Sequence, residues 1–421
     1  MLNLRFFSPL CSTVRARLET RPILRCFSRF GTDLERWQRR CDRLTRLQRR
    51  IRFPPLETIT VNGQNIKLPL PCTEPMRTPS QVELEYLVGF FDGDGCVSMT
   101  KETGKVQLAI SQNVDSAEVL LHFRSFIAGS VHRQSASTGS KQAVLQWRVY
   151  RPKMAAAAAE TLSRVPSMKQ AQLREATKGR VAENDRARVG QSLQTFKQRQ
   201  HVSDQRLECS WPYFAGLFDA EGCISVNVNY AGLQLRLGQV NPCVLVYLFR
   251  FLQENELHSW SLRDRAACSS LACTKMQNCK KTLELLLANG LLVKRKQAEL
   301  ALSLTAENHL EIRDAISSLS GLQGRYQRLD ADGIARTREI QRLQQRLRYI
   351  SGPAPASMLS QIEELQAEHM LQKLISRCDM LRKDMRRSMR QGGVVVSSTI
   401  HSSELPLLAE RVLLPHVSVT S

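Results

Sequence analysis

The chain contains one nine-residue stretch twice, at 87–95 and 214–222, and this repeat constrains the fold more than any other feature. The copies read LVGFFDGDG and FAGLFDAEG, so each is apolar and ends in two acids that flank a small residue and precede Gly. A serine stands before each apolar run, at Ser80 and Ser210, and serine is a preferred N-cap residue. We therefore predict that each copy ends a helix, which must be buried because it is apolar nearly all round.

Both copies also carry small residues at every fourth position. These are Gly89 and Gly93 in the first copy and Gly216 and Ala220 in the second. A row of small residues lets two helix backbones approach closely. We predict that segments 84–93 and 211–220 pack against each other and bring Asp94 and Glu221 to the same point. Two ordinary buried helices with Gly C-caps would not explain paired acids at both helix ends.

A wider repeat extends beyond these two helices. Three pairs of residues share one offset of 127 positions: Asp94 and Glu221, Gln112 and Gln239, and Gln170 and Gln297. Hydrophobic periodicity in the first half predicts a helix, two strands, a helix, two strands and further helices, and the second half repeats that order. An internal repeat of this size indicates one fold used twice around a pseudo-two-fold axis.

The repeated stretch resembles the motif of the LAGLIDADG homing endonucleases and intron maturases, in their two-motif single-chain form. The resemblance implies an α+β fold with two tandem αββαββα modules related by a pseudo-two-fold axis. It also implies saddle-shaped antiparallel sheets, to which this chain would add helical N- and C-terminal extensions.

We divide the chain accordingly into seven segments. They are an organelle transit peptide (1–30), a basic N-terminal extension (31–79), module 1 (80–176), a solvated linker (177–206), module 2 (207–304), a basic helical extension (305–390) and a Gly/Val/Ser-rich tail of unknown role, for which disorder is one interpretation (391–421).

The net charge of the chain indicates its class of partner. The formal charge of +21 points to a polyanion, either nucleic acid or an anionic membrane. No apolar run approaches the roughly 18 residues that a membrane span needs. Nucleic acid is therefore the expected partner, without a membrane.

The first 30 residues and the cysteines indicate the compartment. Glu19 is the only acid among many arginines in that stretch, a composition typical of an organelle transit peptide. The arginine content favours a mitochondrion over a chloroplast, and a disordered basic arm is the alternative. The 12 cysteines include no C-x-x-C pair, so we expect free thiols in a reducing compartment. Cys96 and Cys223, which follow the two motifs, are predicted to be buried.

By resemblance, Asp94 and Glu221 are the metal ligands, one for each strand's scissile phosphate. Carboxylates hold hard cations such as Mg²⁺, with Mn²⁺ as a substitute, and such cations stabilise charge during phosphodiester hydrolysis. Two crowded carboxylates repel unless a cation lies between them. Asp92 and Asp219 are predicted to bond the backbone near the helix ends instead.

Three further residues are predicted near the acids. In single-motif relatives a lysine lies three residues before the glutamine of the Gln-Ala pair, and this position is Lys294 in module 2. In module 1 it is Ser167, which puts equal cleavage of both strands in doubt. Lys169 is predicted to project elsewhere. Gln112 and Gln239 match a family glutamine near the active site, with base or phosphate contact as the alternative.

The strands supply the side chains for reading nucleic acid. Arg, Lys, Gln and Asn can read base edges in a major groove. The candidates are Lys101, Lys105, Gln107, Arg133, Gln134, Gln146 and Arg148 in module 1, and Asn227, Asn229, Gln234, Arg236, Arg263 and Arg265 in module 2. Two sheets end to end would cover about 18 to 20 base pairs of double-stranded DNA.

The leading hypothesis is a monomeric, site-specific, Mg²⁺-dependent endonuclease acting at a long site on double-stranded DNA. An organelle intron maturase or RNA-splicing factor on the same fold is the first alternative, with structured intron RNA as its partner. A catalytically impaired DNA-binding protein is the second. The intact Asp94 and Glu221 favour the nuclease, the basic ends favour the maturase, and Ser167 favours the impaired protein.

Overall fold

A computed structural model describes most of the chain. The described residues are 23–52, 56–134, 143–196, 207–227, 230–264, 268–319, 331–350, 352–353, 355–390 and 394–395. They form two compact units, one within 55–321 and one that combines the chain up to residue 54 with the chain from 322 onward. Residues 1–22 of the predicted transit peptide lie outside the described residues.

Helices and strands alternate within 55–321, whereas the other unit is mainly helical. The helices are α1 (Ile23–Arg50), α2 (Gln81–Asp94), α3 (Ala117–Ile127), α4 (Pro152–Leu162), α5 (Gln170–Ala176), α6 (Arg186–Thr195), α7 (Trp211–Glu221), α8 (Cys243–Glu254), α9 (Met276–Ala288), α10 (Arg295–Leu302), α11 (His309–Leu319), α12 (Ala331–Arg348) and α13 (Ala356–Arg390). The strands are β1 (Ile51–Arg52), β2 (Thr58–Val61), β3 (Gln64–Lys67), β4 (Leu70–Thr73), β5 (Gly95–Met99), β6 (Val106–Asn113), β7 (Gly129–Gln134), β8 (Val144–Val149), β9 (Gly222–Val226), β10 (Leu233–Gln239), β11 (Trp260–Arg263), β12 (Ser269–Cys273) and β13 (Val394–Val395).

The unit within 55–321 has the predicted α+β architecture. The sheet of module 1 has the strand order β4-β7-β8-β6-β5, and that of module 2 has the order β11-β12-β10-β9. All neighbouring strands in both sheets are antiparallel. The four strands that the modules share therefore follow one order, as the internal repeat predicts.

Each motif helix begins and ends for local reasons. Ser80 and Glu83 form a capping box before α2, and the Ser210 hydroxyl accepts from the Tyr213 amide at the start of α7. Each helix runs directly into a strand through a glycine. A Cβ atom on Gly95 or Gly222 would lie only 2.4 Å from the carbonyl oxygen four residues earlier, so no larger residue fits this turn.

Three segments join this unit that the sequence analysis assigned elsewhere. β4, from the predicted N-terminal extension, pairs with β7 as a fifth strand of the first sheet. α6, within the predicted solvated linker, buries Val189 and Leu193 in the core. α11, from the predicted C-terminal extension, buries Ile312 and Ile316 there. Residues 197–206 of the linker lie outside the described chain.

The other unit is helical. α1 packs along α13, and α12 packs on α13 as the first arm of a helical hairpin. β1 pairs with β13, so Val394 and Val395 of the predicted tail form a strand, while the rest of 391–421 lies outside the described residues. Within the described chain, every helix is too short or too polar to cross a bilayer.

Candidate active site

The motif helices α2 and α7 meet through their small residues in a reciprocal way. A Cβ on Gly89 would lie 2.0 Å from the Tyr213 carbonyl oxygen, and a Cβ on Gly216 would lie 2.0 Å from the Tyr86 carbonyl oxygen. A Cβ on Gly93 would lie 2.3 Å from the Cβ of Ala220. The backbones therefore touch directly, and the equivalent contacts on both sides give the helix pair its two-fold symmetry.

The first acid of each motif ties the two modules together. The carboxylate of Asp92 accepts from the Tyr213 hydroxyl of the other module at 2.7 Å, and that of Asp219 accepts from the Tyr86 hydroxyl at 2.7 Å. Both carboxylates are buried, which raises their pKa values. Lys169 and Lys294 oppose that rise.

The same two carboxylates also accept from backbone amides. Asp92 accepts from Met168 and Lys169 at 2.8 and 3.2 Å. Asp219 accepts from three successive amides, at 2.6, 3.0 and 2.8 Å, that end at Lys294. The predicted structural role of Asp92 and Asp219 is confirmed.

The second acid of each motif stands at the junction of the helix pair. Asp94 ends α2 and Glu221 ends α7, and both side chains are half-buried. A Cβ on Gly93 would lie 3.1 Å from the Glu221 Cγ, which places that side chain against the end of α2. Burial, followed by the charge of Glu221, raises the pKa of Asp94 to about 6. The structure therefore brings the two acids close enough for the charge of one to affect the ionisation of the other.

The two predicted glutamines are not equivalent. The Gln112 side-chain amide donates to the Asp94 carboxylate at 2.5 Å. Gln239 stands at the matching end of β10, but within the described residues its side chain makes no hydrogen bond to Glu221. The carboxylate of module 1 is thus held in place by its own sheet, whereas the carboxylate of module 2 is not.

The structure corrects the prediction for the lysines. Lys169 and Lys294 are the residues whose amides bond the matching oxygens of Asp92 and Asp219, and each stands as N-cap of the following helix. Lys169 is therefore the counterpart of Lys294, and it does not project elsewhere. The offset of 127 fails here because the chain of module 1 reaches this point two residues later than that offset predicts.

Both ammonium groups are fixed at the ends of the motif helices. The Lys169 Nζ donates to the carbonyls of Phe91 and Gly95 at 2.7 and 2.5 Å, and also to that of Gly93. The Lys294 Nζ donates to the Asp219 carbonyl. Burial lowers the pKa of both lysines, while the nearby aspartates oppose the change. Ser167 instead donates its hydroxyl to Asp92 at 2.6 Å, so it has a structural position.

The acids could hold a hard cation only with help from a substrate. No group of three or more His, Cys, Asp or Glu side chains suited to a metal occurs in the part of the chain that the structure describes. Asp94 and Glu221 supply two carboxylates. Magnesium is commonly held by one or two carboxylates together with water and substrate phosphates, so this donor set fits it. The set does not fit zinc, which prefers four protein ligands in closed sites.

Most of the predicted reading residues lie on the open strand face, by which we mean the side of each sheet turned away from the core. Buried and exposed residues alternate along β6, β8 and β10, as expected for sheets with one covered face. The residues on this face are Gln107, Gln134, Gln146 and Arg148 in module 1 and Asn227, Gln234, Arg236 and Arg263 in module 2. Lys101 and Lys105 are exposed in the turn between β5 and β6.

Three predicted reading residues differ from this set. Arg133 pairs with buried Leu145 and shares its side of the sheet with buried Val131, so it lies on the core side at the strand end. Asn229 and Arg265 lie outside the described residues. Cys96 and Cys223 were expected to be buried, but both are exposed on the open strand face.

A polar chain crosses the open strand face of module 1. The Arg148 guanidinium donates to the Gln107 side chain, whose amide donates to the Ser98 hydroxyl at 2.8 Å. The Arg148 guanidinium also lies 5.4 Å from the centre of the Tyr150 ring. In module 2, Arg236 and Arg263 are exposed and make no hydrogen bond within the described residues. Arg148 is thus held in place by side chains of its own module, whereas Arg236 and Arg263 extend from the sheet without such contacts in the described residues.

Sequence reasoning missed two groups of residues at this site. Tyr86 and Tyr213 occur at the same place in both motif helices, so the repeat itself could have revealed them. Lys169 does not match Lys294 at the offset of 127, because the chain of module 1 is two residues longer before this lysine.

Comparison with known proteins finds structural likeness only. No protein-family profile and no curated protein sequence matches the chain. The structure is similar to that of the LAGLIDADG meganuclease I-AabMI bound to uncleaved DNA, with 19% identity and a TM-score of 0.44, over 56% of this chain and 99% of that one. It is also similar to the LAGLIDADG meganuclease I-CpaMI bound to uncleaved DNA, with 14% identity and a TM-score of 0.42, over 56% and 99%. A third similar structure is the LAGLIDADG homing endonuclease I-GzeII in complex with its DNA target, with 14% identity and a TM-score of 0.41, over 56% and 96%.

Proposed function

We propose that this chain is a two-motif endonuclease of the LAGLIDADG type that hydrolyses both strands of double-stranded DNA at a long site. The observation that carries the proposal is the meeting of Asp94 and Glu221 at the ends of two reciprocally packed helices. One half-buried lysine from each module, Lys169 or Lys294, adjoins them, and an open strand face extends from each side. A mere structural helix pair has no need of this second pair of carboxylates, since Asp92 and Asp219 already join the modules.

The proposed cofactor is Mg²⁺, or Mn²⁺ in its place, held by Asp94 and Glu221. When bound, it would supply Lewis-acid stabilisation of the charge on the scissile phosphates. Gln112 holds the Asp94 carboxylate in one orientation through its amide. Lys169 and Lys294 keep positive charge beside the acids, where it favours a phosphate and the charge that develops on it. The arginines and glutamines of the open strand faces bind and read the duplex on either side.

A second candidate is an RNA-splicing factor, and one observation favours it. The helical unit carries a dense set of arginines that the reading of DNA by the two sheets does not require. α1 alone has nine arginines against three acidic residues. Such a surface suits the phosphates of a folded RNA.

We further propose that the chain acts as a monomer. The arginine-rich start of the chain supports an organelle as its compartment, a mitochondrion before a chloroplast.

The test is selection of cleaved sites from a randomised duplex library by the full chain with Mg²⁺. The nuclease proposal predicts enrichment of one long site, and the selected duplex should then be cut in both strands. Competition between that duplex and structured intron RNA for binding separates the candidates. No enrichment of any duplex, together with preferred binding of the RNA, would overturn the nuclease in favour of the splicing factor.

A further inference from the structure

The helical unit contains a helix seam between α1 and α13 that is independent of the candidate active site. The apolar residues of this seam recur at three- and four-residue spacings, as in a coiled coil. They are Trp37, Cys41, Leu44, Leu47 and Ile51 on α1 and Leu374, Cys378, Leu381 and Met385 on α13. Because Trp37 and Leu374 lie at one end and Ile51 and Met385 at the other, the two helices run in the same direction.

Two cysteines face each other in one layer of the helix seam. The Sγ atoms of Cys41 and Cys378 are 2.6 Å apart, about half an ångström more than the length of a disulfide bond. Both side chains are fully buried. The Cys41 thiol also donates to the Leu374 carbonyl at 3.2 Å, and the Cys378 thiol to the Trp37 carbonyl at 3.8 Å. Each sulfur therefore contacts a backbone carbonyl of the opposite helix as well as the other sulfur.

A short strand pair at one end of the helix seam helps to set the register of α1 against α13. β1 follows α1 directly and pairs with β13, with Ile51 opposite Val395 and Arg52 opposite Val394. A shift of one helix along the other would break this pairing. The apolar packing of α1 on α13 and the pairing of β1 with β13 both favour the register in which Cys41 and Cys378 meet.

Cys41 and Cys378 are free thiols in this structure, and we propose that under oxidising conditions they form a disulfide that joins the first helix of the described chain to the last. The oxidant is a small-molecule disulfide such as glutathione disulfide. One protein thiolate attacks it and releases one glutathione thiol, and the second protein thiolate then displaces the other. The two cysteines lose two electrons and two protons, and the oxidant gains them as two thiols. The bond would join two residues that lie 337 positions apart in the sequence.

Burial makes this a slowly exchanging bond. Burial, followed by the contact with Cys41, raises the pKa of Cys378 to about 12, although Arg382 and Arg40 oppose the rise. The raised pKa leaves little thiolate to start the reaction, and once the bond has formed an external thiolate can reach the buried sulfurs only when the helix seam opens. The bond should therefore form as α1 and α13 close on each other and then resist reductants. Formation of the bond also lowers the conformational entropy of the unfolded chain, and this effect is largest when the bond closes a long loop.

The experiment is peptide mapping of the full chain after incubation with glutathione disulfide. Arg40 and Arg43 flank Cys41, so a protease that does not cut after arginine keeps that cysteine in a usable peptide. Free thiols are alkylated in denaturant before digestion. We expect a joined peptide that contains Cys41 and Cys378 and is two hydrogens lighter than its parts. Mild urea should increase the rate at which it forms several-fold, because the seam then opens more often.

Variants and a gel provide matched controls. On a non-reducing gel the linked wild type should migrate faster than the reduced chain, since a closed loop makes the denatured chain more compact. Cys41→Ser and Cys378→Ser should each lose this band, whereas Cys209→Ser should keep it. Complete alkylation of both cysteines after oxidation, or linkage of either to a different cysteine in larger yield, would overturn the proposal. The mapping of the wild type decides the matter even if a variant fails to fold.

Discussion

Module 1 and module 2 share one skeleton but hold their second acids differently. Asp94 accepts a hydrogen bond from Gln112, and the lysine beside it donates to three motif carbonyls. Glu221 has no such bond from Gln239 within the described residues, and Lys294 donates to one carbonyl. A pseudo-two-fold axis thus fixes the helices and the order of the strands, while the two halves of the site remain free to differ. If the proposed nuclease function holds, this difference predicts that the two DNA strands are cut at unequal rates.

The largest expected effect is on stability, and it concerns the glycine contacts between α2 and α7 that both modules share. Gly89→Val and Gly216→Val should each destabilise the protein by about 3 kcal/mol or more, because the first added atom would overlap a backbone carbonyl of the other helix. Urea unfolding measures the effect. Gly190→Ala is the matched control, since a Cβ there would meet only an ordinary contact at 3.7 Å. Equal stability of Gly89→Val and the control would contradict the close packing of α2 and α7.

The second prediction removes one acid at a time. Asp94→Asn or Glu221→Gln should lower double-strand cleavage about 100-fold or more, since each removes a ligand of the proposed cation. Binding should survive, because the open strand faces still carry their arginines. Plasmid cleavage scored for linear and nicked product, beside a gel shift in Ca²⁺, measures both. A parallel loss of binding and cleavage would place the acids in binding instead.

The third prediction tests the corrected pairing of the lysines. Lys169→Met and Lys294→Met should each slow cleavage about 100-fold, as for the loss of one electrostatic stabiliser. Lys296→Met should leave the rate unchanged, because Lys296 is exposed on α10. The readout is the single-turnover rate on each end-labelled strand. If Lys294→Met alone had an effect, Lys169 would not be its functional counterpart.

The glutamines offer the sharpest contrast between the modules. Gln112→Ala should slow cleavage of one strand about tenfold, because partners of metal ligands contribute about 10- to 100-fold. Gln239→Ala should have a smaller effect, because the Gln239 side chain makes no hydrogen bond to Glu221 in the described residues. Strand-resolved rates on a duplex with each end labelled in turn provide the comparison. Equal effects of both substitutions would mean that the asymmetry disappears when DNA binds.

The smallest expected effect is a dependence on pH. With the pKa of Asp94 raised to about 6, cleavage should rise as the pH increases through about 6 and then level off. The stability of the folded protein should change with pH in the opposite direction to the cleavage rate. Between about pH 4 and pH 6 the folded state holds the proton that the unfolded state has lost, so the free energy of unfolding falls as the pH rises. Asp94→Asn should remove this fall, which urea titrations at about pH 5 and pH 7 would detect.

The sequence predicts the helix pair because its signals are local and repeated. Gly89 and Gly216 stand at matching places in apolar helices, so their contact follows from sterics. The structural role of Asp92 and Asp219 follows in the same way. Polar alternation likewise identifies most of the open strand faces, although Arg133 lies on the core side of its strand.

Other features depend on contacts that the sequence does not encode locally. β4 is short and contains a proline, so its pairing with β7 has no alternating pattern to reveal it. The match between Lys169 and Lys294 is hidden in the sequence because the chain between Asp92 and Lys169 is two residues longer than that between Asp219 and Lys294. The meeting of Cys41 and Cys378 joins residues 337 positions apart and depends on how the helical unit assembles.

The most direct measurement compares the wild type with the Asp94→Asn, Glu221→Gln double variant on a plasmid that carries the selected site. The account predicts linear plasmid from the wild type in Mg²⁺ and intact plasmid from the double variant. Both proteins should shift the same duplex in Ca²⁺. Full cutting by the double variant would contradict the claim that these two acids form the cleavage centre.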